Sequence, residues 1–290
     1  MLDSLSPSSS EEMAVVDAIN RSESARPATS GFARMGSGST TLISVATILV
    51  LFASWWLVTN AGWIKPLFLP SPQAVWQQFV VYLTGDPNDR SLLQHAVASL
   101  LRVFSAFALA CLVGIPLGLA MGVSRIARGV FDPVLEFYRP LPPLAYLPLI
   151  IIWFGIDETP KVLLILLSCL APLALAARAG AQAAMQEQIH AAAAMGATRW
   201  QTLVHVIVPA ALPDILVGMR IAIGFGWTTL EAAEMVAASV GLGQMVLNAS
   251  NFLRTDIVVM GILVIGAVAF VFDLLMRAIE RRLVPWKGRT

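Results

Sequence analysis

Six apolar runs dominate the chain, near 41–60, 97–122, 134–155, 161–179, 215–238 and 256–279. Each is long enough to cross a bilayer as a helix, which takes about 20 residues. In the hydrocarbon core a backbone must satisfy its own N–H and C=O groups, so such runs are confined to helices buried in lipid. Composition agrees: with 57% hydrophobic and 13% charged residues, 290 residues offer too little polar surface to cover a soluble globule. The expected fold class is all-α integral membrane, with six transmembrane helices.

The polar stretches divide the chain. Residues 1–40 are Ser-rich, carry Glu11 and Glu12, and lack the basic-then-apolar order of a secretory signal, so they read as a disordered cytoplasmic tail. The first transmembrane helix is expected at 41–60. Residues 61–93 are too polar to span, and Trp63, Phe68 and Trp76 among prolines suit a periplasmic link with a surface-lying helix. The main transmembrane domain then covers 94–279, with a loop at 180–214, and 280–290 form a cytoplasmic tail. Arg125, Arg128, Arg178, Arg199, Arg277, Arg281, Arg282, Lys287 and Arg289 gather on one set of connections, which is expected to place both termini on the cytoplasmic side of the cell membrane. The opposite connections hold mainly Lys65, Arg90, Lys161 and Arg254, with Asp86, Asp89, Asp157 and Glu158. A formal charge of +1 argues against nucleic acid as a partner and leaves membrane lipid as the surroundings.

Within the spans, Gly114, Gly118 and Gly122 recur every four residues and mark a face for close helix packing, with Gly218, Gly224 and Gly226 giving the fifth span similar permissiveness. The prolines at 140, 142, 143 and 148 cannot sit in a regular helix, and broken backbone at such depth is tolerated only beside protein or a wet cavity. Residues 136–148 are therefore expected near a translocation pathway. Glu136 and Arg139 share a helical face and can either neutralise each other or line that pathway. Glu231 and Glu234 also share a face. Intramembrane carboxylates point to function, and three readings stand open for them: lining a pore or gate, bonding between subunits, or pairing with an arginine elsewhere. Asp273 and Arg277 are spaced for a local salt bridge. His95 and His205 read as structural residues in connecting regions, and Cys111 and Cys169 as buried thiols, so no metal site is expected. No phosphate-binding loop is present and no catalytic residue is identified, so the chain is not expected to be an enzyme.

The 190–213 segment HAAAAMGATRWQTLVHVIVPAALP is mild in hydropathy between two apolar runs. Alanines favour a short helix, Gly196 supplies a left-handed stop, and Thr198 with Gln201 has the spacing of a capping box opening a second helix. Pro209 and Pro213 then punctuate the chain before the next span. Without further information this is a helical hairpin. It also resembles the cytoplasmic loop of bacterial ABC-importer permeases, in which Glu-Ala-Ala is followed by Gly and then by Ile-x-Leu-Pro. Ala191, Ala192, Gly196 and Pro209 fall in register, while His190, Val206 and Val208 replace the usual Glu, Ile and Leu. PLFLPSPQAVW (66–76), YRPLPPLAYLPLIIIWFGIDETPKVLLI (138–165) and GWTTLEAAEMVAASVGLGQMV (226–246) are similar to the nitrate, sulfonate and taurine branch of these permeases.

The resemblance implies a type I ABC importer transmembrane domain over 94–279. It implies two copies of this chain, two cytoplasmic ABC ATPases that use ATP and Mg, and a periplasmic substrate-binding protein. The chain itself would bind no cofactor, and its coupling residues would be His190, Ala191, Ala192, Gly196, Val206, Val208 and Pro209. The cargo would be taurine or a related alkanesulfonate, with nitrate or another small anion as the alternative. An ion-coupled secondary transporter using Glu231 or Glu234 and a scaffold without transport activity are the rival classes.

Overall fold

The computed structural model describes residues 41–85, 90–184 and 186–284. The tail expected at 1–40, residues 285–290 of the second tail, and Asp86, Asp89, Lys287 and Arg289 lie outside the described residues. All regular structure among the described residues is helical. The chain divides into one unit ending at Ser54 and another beginning at Trp55. Helix α1 (Thr41–Asn60) bridges the boundary, is apolar round its whole circumference and buries none of its residues, as suits side chains that meet lipid.

In the 61–93 link, Ser71 caps α2 (Pro72–Thr84) through its hydroxyl and Pro72 occupies the first turn, where no intrahelical N–H is needed. Trp63, Phe68 and Trp76 are exposed, and Trp76 stacks on Phe79. A capping box of Ser91 and Gln94 opens α3 (Leu92–Val123) earlier than the apolar run predicts. His95 therefore lies inside a spanning helix and is buried, which corrects its assignment to a connecting region.

The 134–155 run is not a single straight span. It is divided between α4 (Arg125–Tyr138) and α5 (Pro143–Phe154), which meet at 104°. Pro140, Pro142 and Pro143 withhold the N–H at three of four successive positions, so the backbone turns there. With 12 residues, α5 is about 18 Å long, well short of a bilayer core of about 30 Å. Five helices among the described residues are long and apolar enough to cross alone, and six if the bent pair is counted as one.

Helix α6 (Glu158–Ala183) is followed by α7 (Gln186–Ala194), which ends as expected at Gly196 with φ +81°. Ala197 N–H donates to the Ala192 carbonyl and Gly196 N–H to that of Ala193, the paired bonds of a Schellman stop. The Thr198–Gln201 capping box opens α8 (Arg199–Thr202). The prolines that follow do not separate it from the next span. A π turn at Leu203–Ile207 carries the chain directly into α9 (Val208–Ala237), giving one apolar helical stretch of 39 residues from Arg199. The wider turn relieves the clash that Pro209 would otherwise make with the preceding carbonyls, so the loop expected to end at 214 closes earlier. His205 sits in that turn, its Nδ1 3.1 Å from the Gln201 carbonyl. Helices α10 (Leu242–Asn251) and α11 (Thr255–Leu283) complete the chain.

Helix α6 is central, packed against both α3 and α9. The α3 glycine stripe faces it: Gly114 meets Leu170 and Leu173, Gly118 meets Ala174 and Ala177, and Gly122 meets Ala181. On α9, Gly218 meets Ala176 and Gly226 meets the Cys169 thiol, whereas Gly224 faces open space. Lipid tails are as apolar as these side chains, so close backbone approach and dispersion hold such helices together. Val103, Phe107, Ile165, Leu173, Ile223, Trp227 and Phe272 fill the contact between α3, α6, α9 and α11. Arg178 pairs with Asp132, tying α6 to α4. Asp273 makes the expected bridge to Arg277 at 2.7 Å and a second to Arg220 of α9 at 3.0 Å.

Candidate functional site

The starts of α3 and α6 and the end of α9 meet at the bundle end opposite α7 and α8, and charged side chains converge there. Arg102, nearly three turns into α3, is the hub. Its Nε donates to Glu158 Oε2 at 2.5 Å and its Nη2 to Glu158 Oε1 at 2.8 Å, a bidentate fork. Its Nη1 donates to Glu234 Oε1 at 2.7 Å and to the Val240 carbonyl at 2.6 Å. Lys161 adds a bond to Glu158 Oε1 at 2.9 Å, so two cations face two carboxylates and the cluster is neutral.

Glu234 is 1% exposed and fully engaged: Ser99 Oγ donates to it at 2.8 Å and the Gly243 N–H at 3.0 Å. The Leu242 N–H donates to Ser99 Oγ at 2.9 Å, and His95 Nδ1 lies 2.9 Å from the Gly241 carbonyl. Side chains of α3 thus clasp the 240–243 turn that follows α9. Gly241 has φ +149°, and a Cβ there would strike the Glu234 carboxyl, so glycine is required on both counts. The arrangement is a clasp between helix ends.

Sequence reasoning singled out Glu234 but missed Arg102, Glu158, Ser99 and His95 as its surroundings. Glu231, one turn earlier, is half-buried and, among the described residues, forms no hydrogen bond or ion pair in this cluster, so the two glutamates do not act as a matched pair. Glu136 and Arg139 also separate: both are exposed, and no ion pair joins them among the described residues. Arg139 caps α4 with helical backbone angles and its N–H still donates to the Leu135 carbonyl, so it is the two side chains, and not the backbone, that stay apart.

That turn bounds a cavity of about 390 Å³ between the α4–α5 elbow, the middle of α6 and the middle of α9. Arg139, Tyr138, Tyr146, Ser168 and Phe225 are among its walls. At the α7–α8 end, His190, Ala191, Gly196, Met195 and Trp200 are exposed, while Ala192 is buried. Pro209 is exposed, and Val206 and Val208 are half-buried where the turn joins α9. Among the described residues no group of three or more His, Cys, Asp or Glu side chains is placed to hold a metal.

Residues 114–285 match the family model of the binding-protein-dependent transport system inner membrane component. The chain is 51% identical over 248 residues to the taurine transport system permease protein of Escherichia coli (strain K12), covering 85% of this chain and 90% of that one. It is 34% identical to the putative aliphatic sulfonates transport permease protein of the same strain, over 81% of this chain and 88% of that one. An inward-facing structure of a methionine ABC transporter shares the fold with a TM-score of 0.59 at 19% identity, over 66% of this chain and 95% of that one. The residues matched by the family model contain the glycine-bearing end of α3, the elbow, α6, the α7–α8 turn and α9. By that match the chain belongs to the family of binding-protein-dependent transport-system inner-membrane components, as an ABC-importer permease subunit.

Proposed function

We propose that this subunit conducts taurine or a closely related alkanesulfonate across the inner membrane, as one of two copies. Two ATPases supply the work, using ATP and Mg, and a periplasmic binding protein delivers the cargo. The observation that carries the substrate is the 51% identity to a taurine permease over most of both chains. The chain has a conducting role and no catalytic one. Both termini and the α7–α8 turn face the cytoplasm, in keeping with Arg125, Arg128, Arg178 and Arg199 near that end.

The exposed surface of His190, Ala191, Gly196 and Trp200 docks on the ATPase, with Ala192, Val206, Val208 and Pro209 supporting it. The small exposed residues Ala191 and Gly196 permit close approach. Closure of the ATPases moves this surface, α9 carries the motion to its far end, and the clasp at Arg102 and Glu234 ties α3 and α6 to it. Alternation between two such states, each favoured by a different partner, is how ATP drives transport. Ion-coupled transport through Glu234 is disfavoured by its engagement with Arg102, Ser99 and the Gly243 N–H.

Uptake of labelled taurine by a deletion strain expressing this chain with its ATPase and binding protein tests the reading. ATP-dependent uptake, competed by taurine more strongly than by nitrate, is expected. Uptake dominated by nitrate would replace the cargo, and uptake without the ATPase would overturn the mechanism.

A further inference from the structure

We propose that the cavity at the α4–α5 elbow is a transit site for an aminosulfonate, an inference that rests on the substrate reading above. Its walls have an unusual polar content. The Tyr138 and Tyr146 rings lie side by side, 6.4 Å apart, and neither buried hydroxyl has a well-formed hydrogen bond to the rest of the chain, which leaves both able to bond water or a ligand in the cavity. Arg139 lines the same cavity and forms no ion pair among the described residues, and no carboxylate lines it. Two phenol O–H groups and a guanidinium fork are all donors. Their natural complement is a compact anion rich in acceptors, and a sulfonate offers three oxygens and a single negative charge.

Other residues of the lining suit a cation. Pro172, within α6, has no N–H to give the Ser168 carbonyl one turn earlier, and both residues line the cavity. That carbonyl is an acceptor for an ammonium group. The Phe225 ring, on α9, borders the same space and offers a π face to a cation. A short molecule with a sulfonate at one end and an ammonium at the other satisfies both sets of residues at once. The cavity volume of about 390 Å³ lies within the range of about 300–1,000 Å³ usual for small-molecule sites. Its place beside the middle of α6 and α9 puts it midway along the bundle, where a solute crossing the membrane must shed water.

The test uses the permease–ATPase complex in nanodiscs without binding protein, and reads saturation transfer to the methylene protons of taurine, ethanesulfonate and ethanolamine. Transfer is expected to be strongest for taurine, weaker for ethanesulfonate and absent for ethanolamine. Arg139→Gln should lower the taurine signal at least tenfold, Arg139→Lys should restore part of it, and Tyr138→Phe with Tyr146→Phe should lower it about threefold. Each variant must copurify with the ATPase at wild-type yield, which excludes misfolding. No wild-type signal, a signal indifferent to these variants, or equal transfer to ethanolamine overturns the site. Proteoliposome uptake with binding protein separates the two ideas: wild-type failure to take up taurine removes the substrate reading, whereas undiminished uptake by the Arg139→Gln variant removes the site alone.

Discussion

Arg102 and Glu234 illustrate what a single charge requires inside a membrane protein. An isolated guanidinium or carboxylate at this depth is strongly destabilising, and each is tolerated because the other neutralises it and the remaining lone pairs and protons find partners. Removing one partner leaves the other stranded. Arg102→Met is expected to lower stability by about 3–5 kcal/mol, the usual loss when a buried pair is broken from one side. The midpoint of thermal unfolding of the purified complex reads it. Pairing Arg102→Met with Glu234→Met should cost less than the two single changes added together, because the stranded charge is gone; strictly additive losses would show that the pair does not interact. Glu234 was legible in the sequence as a carboxylate in an apolar run. Its partner was not, because Arg102 is averaged away among the leucines and phenylalanines of the 97–122 run and only tertiary packing brings α3 beside α9. The usable signal was that an intramembrane arginine and an intramembrane glutamate in one chain require partners, and each is the obvious candidate for the other.

Helix packing rests on contacts that can be tested in matched pairs. A Cβ on Gly118 would stand 2.6 Å from the Ala177 Cβ and closer still to the Ala174 carbonyl, whereas one on Gly224 meets nothing within 4 Å. Gly118→Ala is therefore expected to force α3 from α6 and lose about 1–3 kcal/mol, the range for overpacking. Gly224→Ala should be neutral or better, since alanine is favoured over glycine in a helix interior by about 1 kcal/mol. Thermal midpoints of the two variants compare them directly, and equal losses would contradict the packing described. The glycine stripe was readable because a four-residue period maps to one helical face whatever the partner. The elbow was only half readable: the prolines announced a break but gave no angle, and the apolar run around them looked long enough to span. Pro209 misled in the other direction, because nothing local announces the π turn that lets the helix continue through it. Gly196, by contrast, was correctly placed by its chemistry alone, since a left-handed stop after four alanines needs a residue without a Cβ.

Across the whole molecule, the α7–α8 turn, proposed above to dock on the ATPase, and the clasp are joined by a single run of helix. From Arg199 to Ala237 it has 39 residues, which at about 1.5 Å each reach about 58 Å, enough to cross the bilayer and extend beyond it. A lever of this kind transmits displacement only while it is unbroken. Thr228→Pro tests that property. The site is exposed, its hydroxyl bonds only the Phe225 carbonyl within its own helix, and it lies between the docking surface and Glu234. A proline there removes one backbone bond and kinks the helix at a cost of about 3 kcal/mol. It leaves the residues of the α7–α8 turn untouched. The variant should still reach the membrane and copurify with the ATPase, while the loaded binding protein no longer stimulates ATP hydrolysis and uptake is lost. Stimulation at the wild-type level would mean that the signal between the two faces travels by another helix, with α6 the next candidate, since it touches both α3 and α9 along its length. Loss of ATPase association would instead show that the docking surface depends on the distant half of α9, and that the two ends of the subunit are one cooperative unit.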